Sequence, residues 1–101
     1  MAMVEVSVVP VGTATPSVSK YVVRAVQLLQ EERDIKYELT AMGTIIEGDL
    51  EHLLALVKRM HQSAFSMGAK RVVTTVKIDE RRDKPLTIDG KVASVRKELG
   101  A

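Results

Sequence analysis

The stretch Ile35-Lys36-Tyr37-Glu38-Leu39-Thr40-Ala41-Met42-Gly43-Thr44-Ile45-Ile46-Glu47 decides the fold. Ile35, Tyr37, Leu39 and Ala41 alternate with Lys36, Glu38, Thr40 and Met42, the two-residue period of a strand with one buried face. Gly43 punctuates the run, and Thr44-Ile45-Ile46-Glu47 begins a second extended segment. A connection this short allows only a hairpin, so the two strands are antiparallel neighbours.

Upstream, Met3 to Val9 alternates Val4, Val6 and Val8 with Glu5 and Ser7, which predicts a first strand. Pro10, Gly12, Thr13, Thr15 and Pro16 mark a loop, with Thr15-Pro16 reading as an N-cap followed by proline at the first helical position. Val18, Val22, Val26 and Leu29 then recur at helical spacing, predicting a helix to about Arg33. Downstream, Asp49 is the expected N-cap of a second helix, and Leu50, Leu53, Leu54, Val57, Met60 and Ala64 form its apolar stripe. Gly68 ends that helix. Val72, Thr74, Val76 and Ile78 alternate with Val73, Thr75, Lys77 and Asp79 as a fourth strand. Beyond the Asp79–Asp83 charge run and Pro85, a short helix capped by Asp89 carries Val92, Val95 and Leu99 on one face.

The order β-α-β-β-α-β predicts an α+β, ferredoxin-like sandwich with a four-stranded antiparallel sheet and an extra C-terminal helix. Residues 1–101 suit a single domain. Right-handed crossovers put the first two helices on one face of the sheet and leave the other bare. That bare face is expected to carry Glu5, Ser7, Val9, Lys36, Glu38, Thr40, Met42, Val73, Thr75, Lys77 and Asp79. A face so mixed in polarity suits a subunit contact or a pocket with a few placed hydrogen bonds.

Composition narrows the function. Cysteine is absent, which removes disulfides, thiolate nucleophiles and iron–sulfur ligation. The N-terminus lacks the basic flank and apolar run of a signal peptide, and no apolar stretch approaches the roughly 20 residues of a membrane helix, so the expected location is cytoplasmic. Fifteen basic residues are interspersed with thirteen acidic ones, giving +2 net and no one-sided field for nucleic acid. RNA-recognition domains stack bases on strand aromatics, which the first and fourth strands lack. Acylphosphatases of this fold depend on an asparagine, and the chain contains none.

His52 and His61 lie nine residues apart on one helix, about 180° around it, too far round to clamp one metal. They read as helix-packing or surface histidines. Asp49 and Glu51 serve the start of the second helix, whereas Glu47 closes a strand beside Gly48 and is left as a carboxylate available to a site. The Asp79-Glu80-Arg81-Arg82-Asp83 run reads as a self-neutralising surface segment. The Gly12–Ser17 loop lacks the G-x-x-x-x-G-K-[ST] spacing of a nucleotide phosphate loop.

Met42-Gly43-Thr44-Ile45-Ile46-Glu47-Gly48, together with Lys77–Asp83 and the segment from Pro10 to Val22, resembles the thiamine-binding-like family of small proteins. The likeness runs from Val4 to about Leu99. It implies subunits that form dimers and tetramers through their sheets, some of which bind thiamine or its hydroxymethylpyrimidine moiety without transforming it. The region carried over comprises Ser7, Thr40, Met42, Gly43, Thr44 and Glu47 as ligand-binding residues, with no catalytic residue, metal or cofactor. The expectation is therefore a non-catalytic binder of a thiamine-like small molecule that forms a homo-oligomer, with neither nucleic-acid nor membrane partners. The alternative is a structural or regulatory homo-oligomer without a small ligand.

Overall fold

The computed structural model describes residues 1–100. Seven elements follow in order: β1 (Ala2–Pro10), α1 (Ser19–Gln30), β2 (Lys36–Leu39), β3 (Thr44–Gly48), α2 (Leu50–Ser66), β4 (Val72–Glu80) and α3 (Ile88–Glu98). The strands form one sheet in the order β2-β3-β1-β4, with every neighbouring pair antiparallel. The α+β ferredoxin-like sandwich read from the alternation is the fold observed.

One face of the sheet holds the core. Ala2, Val4 and Val6 of β1 and Ile46 of β3 meet Ala25 and Leu29 of α1 and Leu53, Leu56, Val57 and Met60 of α2. Register puts Val4 opposite Ile46 and Val6 opposite Thr44, so Thr44 belongs to this helix-covered face. The other face carries Met3, Glu5, Ser7, Val9, Ile45, Glu47, Lys36 and Glu38, with Asp79, Lys77, Thr75 and Val73 paired beside β1.

Helix α2 begins and ends as expected: Asp49 accepts the His52 N–H, and Gly68 follows the last turn at φ +102°, a left-handed conformation that glycine adopts without strain. Three boundaries differ from the sequence reading. Helix α1 starts at Ser19 and ends at Gln30, not Arg33, with Val18 before it and no side-chain cap. The Thr15 hydroxyl is spent on the Ser17 N–H and Thr13 donates to the Thr15 carbonyl, so these hydroxyls close a local turn. Strand β2 stops at Leu39, because the Thr40 N–H and hydroxyl both donate to the Gly43 carbonyl and begin the hairpin turn. Thr40 and Met42 therefore leave the bare face. Helix α3 is capped by Thr87, whose hydroxyl accepts the Gly90 N–H at 2.9 Å. Asp89 lies within the first turn and pairs with Lys36 instead.

Helix α3 crosses the face that was expected to be bare. Its first turn is anchored by buried Leu86 and Ile88, whereas Val92, Val95 and Leu99 stay exposed. The helix thus touches the sheet at one end and stands away from it further along.

Candidate functional site

The hairpin builds a cleft beyond the start of β3. Gly43 packs its α-carbon so close to β1 that a Cβ there would meet the Val6 carbonyl oxygen at 3.0 Å. Only glycine lets the turn approach this way. Helix α1 closes the opposite wall with Val18, Val22 and Ala25, and Met60 of α2 lies at the base. The resulting space is about 150 Å³ and is lined by Ser7, Val8 and Val9 on one side and Leu39 through Thr44 on the other.

Five of the six expected site residues line this one cleft: Ser7, Thr40, Met42, Gly43 and Thr44. The Thr40 hydroxyl is already committed to the Gly43 carbonyl at 2.7 Å and faces the Met42 N–H at 3.3 Å. That leaves the Thr44 hydroxyl as the free polar side-chain group on the helix-covered face, since Ser7 borders the cleft through its backbone while its side chain turns with Glu5 and Val9 to the opposite face. No charged side chain contributes to the lining among the described residues. A neutral, flat, apolar-bodied ligand matches such a wall.

Glu47 lies elsewhere. Residues three apart on a strand face opposite ways, so Thr44 points to the helices and Glu47 to the other face. There Glu47 is 7% exposed, and its Oε2 accepts the Ile88 N–H at 2.5 Å. It holds one of the unpaired N–H groups at the start of α3. Its neighbour across the sheet, Lys36, pairs with Asp89, and this hydrogen bond holds the Lys36 ammonium above the ordinary lysine range. The grouping of Glu47 with Thr44 as two arms of one site is thus corrected: the carboxylate ties α3 to the sheet. The signal that could have revealed this is Leu86-Thr87-Ile88, an apolar anchor on each side of a threonine cap.

A second, larger opening of about 680 Å³ lies between α3 and the sheet. Met3, Glu5 and Ile45 form its floor, Val92 and Val95 face them from the helix, and Lys91 reaches Asp79 at 2.5 Å across one end. Sequence reasoning did not separate this groove from the hairpin cleft. Within the Asp79–Asp83 run, Arg81 pairs with Asp83, which draws the Asp83 carboxyl below its usual range, and Arg82 pairs with Glu80. The histidines tie elements together, His61 Nδ1 to the Thr74 hydroxyl at 2.6 Å and His52 to Glu32 at 3.5 Å.

A profile of the family described as Thiamine-binding protein matches residues 4–96. The chain belongs to this thiamine-binding protein family. Among its relatives, the UPF0045 protein YqgV of Bacillus subtilis is 46% identical over 102 residues, 98% of each chain. A UPF0045 protein of Methanothermobacter thermautotrophicus is 40% identical, across 98% of this chain and 100% of its own. The crystal structure of the MJ1052 protein of Methanocaldococcus jannaschii superimposes with a TM-score of 0.85 at 41% identity, covering 93% of this chain and 94% of that one. A Thermotoga maritima protein, described as a candidate thiamine biosynthesis/salvage protein, gives 0.77 at 26% identity over 93% and 97%. Family membership and fold agree with the hairpin motif that first pointed to them. No helix among the described residues is long and apolar enough to cross a membrane.

Proposed function

We propose that this chain is a non-catalytic binding protein for thiamine or its hydroxymethylpyrimidine moiety, and that the pyrimidine ring sits in the hairpin cleft. The observation that carries the reading is the match of that cleft to one uncharged ring. A cavity of about 150 Å³ is enough for a single six-membered ring. The lining is aliphatic, with a hydroxyl at Thr44 and main-chain groups of β1 beside it, as a ring bearing a few polar atoms requires. Membership of the thiamine-binding protein family supports the choice of ring.

Thr44→Val keeps the shape and removes one hydroxyl. A neutral hydrogen bond contributes about 0.5–1.5 kcal/mol, so equilibrium dialysis should show hydroxymethylpyrimidine binding weakened by roughly two- to tenfold. Unchanged affinity in this variant places the ring outside the cleft.

A second reading, assembly without a small ligand, is favoured by one specific observation. Val92, Val95 and Leu99 of α3 are all more than a third exposed, Val92 and Val95 line the groove between α3 and the sheet, and Val73 is half exposed further along the same sheet face. Apolar surface of this kind is commonly covered by a partner. Sedimentation at micromolar concentration should give a dimer or tetramer, and truncation after Thr87 should shift it toward the monomer. A monomer for the full chain removes this reading.

A further inference from the structure

The sheet leaves one residue of β1 with its backbone open toward the cleft. Val11 donates its N–H to the Arg71 carbonyl at 2.8 Å. The same register pairs Val9 with Val73 and Ser7 with Thr75, so odd-numbered residues of β1 turn their N–H and C=O toward β4. Even-numbered residues turn theirs the other way, toward β3. The β3 ladder ends at Val6 opposite Thr44. Val8 is the next even residue and has no strand facing it. The residue that would stand opposite by register is Met42, but the hairpin has already turned there, and the Met42 N–H faces the Thr40 hydroxyl. Pro10, the following even position, has no N–H to leave open, in keeping with the absence of a ladder on that side.

Val8 also lines the hairpin cleft, whose side chains offer no charge and few polar atoms. Polarity in the cleft therefore comes largely from the main chain. We infer that the Val8 N–H and C=O are the principal polar contacts of the ligand, read by a flat heteroaromatic ring that carries an acceptor nitrogen beside an exocyclic amino group. The ring nitrogen accepts from the Val8 N–H, and the amino group donates to the Val8 carbonyl. The ring in effect replaces the missing next pair of the β1–β3 ladder. This inference rests on the proposed binding reading and states how the ring is chosen: aminopyrimidines fit, while rings lacking either the donor or the acceptor leave a backbone group unpaired. A buried polar group left without its partner is what gives such sites their discrimination.

The test reads the Val8 amide directly, by NMR hydrogen exchange on the unmodified chain with hydroxymethylpyrimidine as the probe. Without ligand, the Val8 amide should exchange quickly while the ladder amides of Val4 and Val6 are protected. At saturating probe it should slow by about tenfold or more, with Val4 and Val6 unchanged. Val8→Pro supplies a second arm. It deletes the open N–H, at a position where the ladder to β4 does not use it, and replaces the Val8 side chain, so Val8→Ala is the side-chain control; relative to that control it should weaken binding by about tenfold or more with the circular dichroism spectrum retained. A Val8 amide already protected without ligand overturns the inference. So does calorimetric binding that leaves the Val8 amide unchanged, and so does undiminished affinity in a folded Val8→Pro. Absence of any binding by the unmodified chain overturns the inference together with the reading beneath it.

Discussion

Truncation of Leu53 to alanine is expected to cost about 2–5 kcal/mol of stability. Leu53 is fully buried on the sheet-facing side of α2, where its Cδ2 lies 3.4 Å from where a Cβ on Gly48 would sit. Gly48 thus leaves a hollow in β3 that the leucine fills, and the backbone cannot collapse into the void its removal leaves. Net stability of a domain this size is about 5–15 kcal/mol, so the loss is a large share of it. The loss will appear in urea unfolding as a lower midpoint with an unchanged slope, because the surface exposed on unfolding is nearly the same. A cost below about 1 kcal/mol would mean that α2 does not seat on β3 in this way.

Glu47→Ala carries the second large effect. The substitution strips the partner from the buried Ile88 N–H, and leaving such a group unsatisfied costs about 1–3 kcal/mol. The cost should fall locally. Helix α3 has few other holds: the Lys36–Asp89 pair, the Lys91–Asp79 pair and the seating of Leu86 and Ile88. Both ion pairs are largely exposed and add little. Amides in the first turns of α3 should therefore lose exchange protection in Glu47→Ala while those of β1 and α2 keep theirs. Uniform loss across all elements would show that α3 is not a separate unit, and no loss would show that Glu47 is not its anchor. Binding of hydroxymethylpyrimidine should be nearly unaffected, since Glu47 lies outside the hairpin cleft.

Much of the fold was legible because β1 and β2 alternate in polarity along most of their length. The Val4, Val6, Val8 series and the Ile35–Ala41 series specified faces, and the short turn at Gly43 specified pairing. The boundaries were less legible. Thr15-Pro16 has the residue types of a helix start, yet its hydroxyl serves a local turn and α1 begins three residues beyond Pro16. Asp89 and Thr87 are both good caps, and the choice fell to Thr87 because Asp89 is drawn to Lys36 from another element. That pairing is tertiary and has no local signature.

The candidate site was legible as a segment but not as a geometry. The structure brings Gly43, Thr44 and Met42 to one cleft, because hairpin neighbours stay together whatever the packing. Glu47 was grouped with them by nearness in sequence, although three residues along a strand reverse the face. The open backbone of Val8 has no residue-type signal, since it depends on where β3 stops relative to β1.

Isothermal titration of the unmodified chain with hydroxymethylpyrimidine, and with thiamine in parallel, tests the central claim most directly. The account predicts saturable binding of one ring per chain, with a negative heat-capacity change from burial of the ring against Val18, Val22 and Met60. Absence of saturable heat with either compound would contradict it.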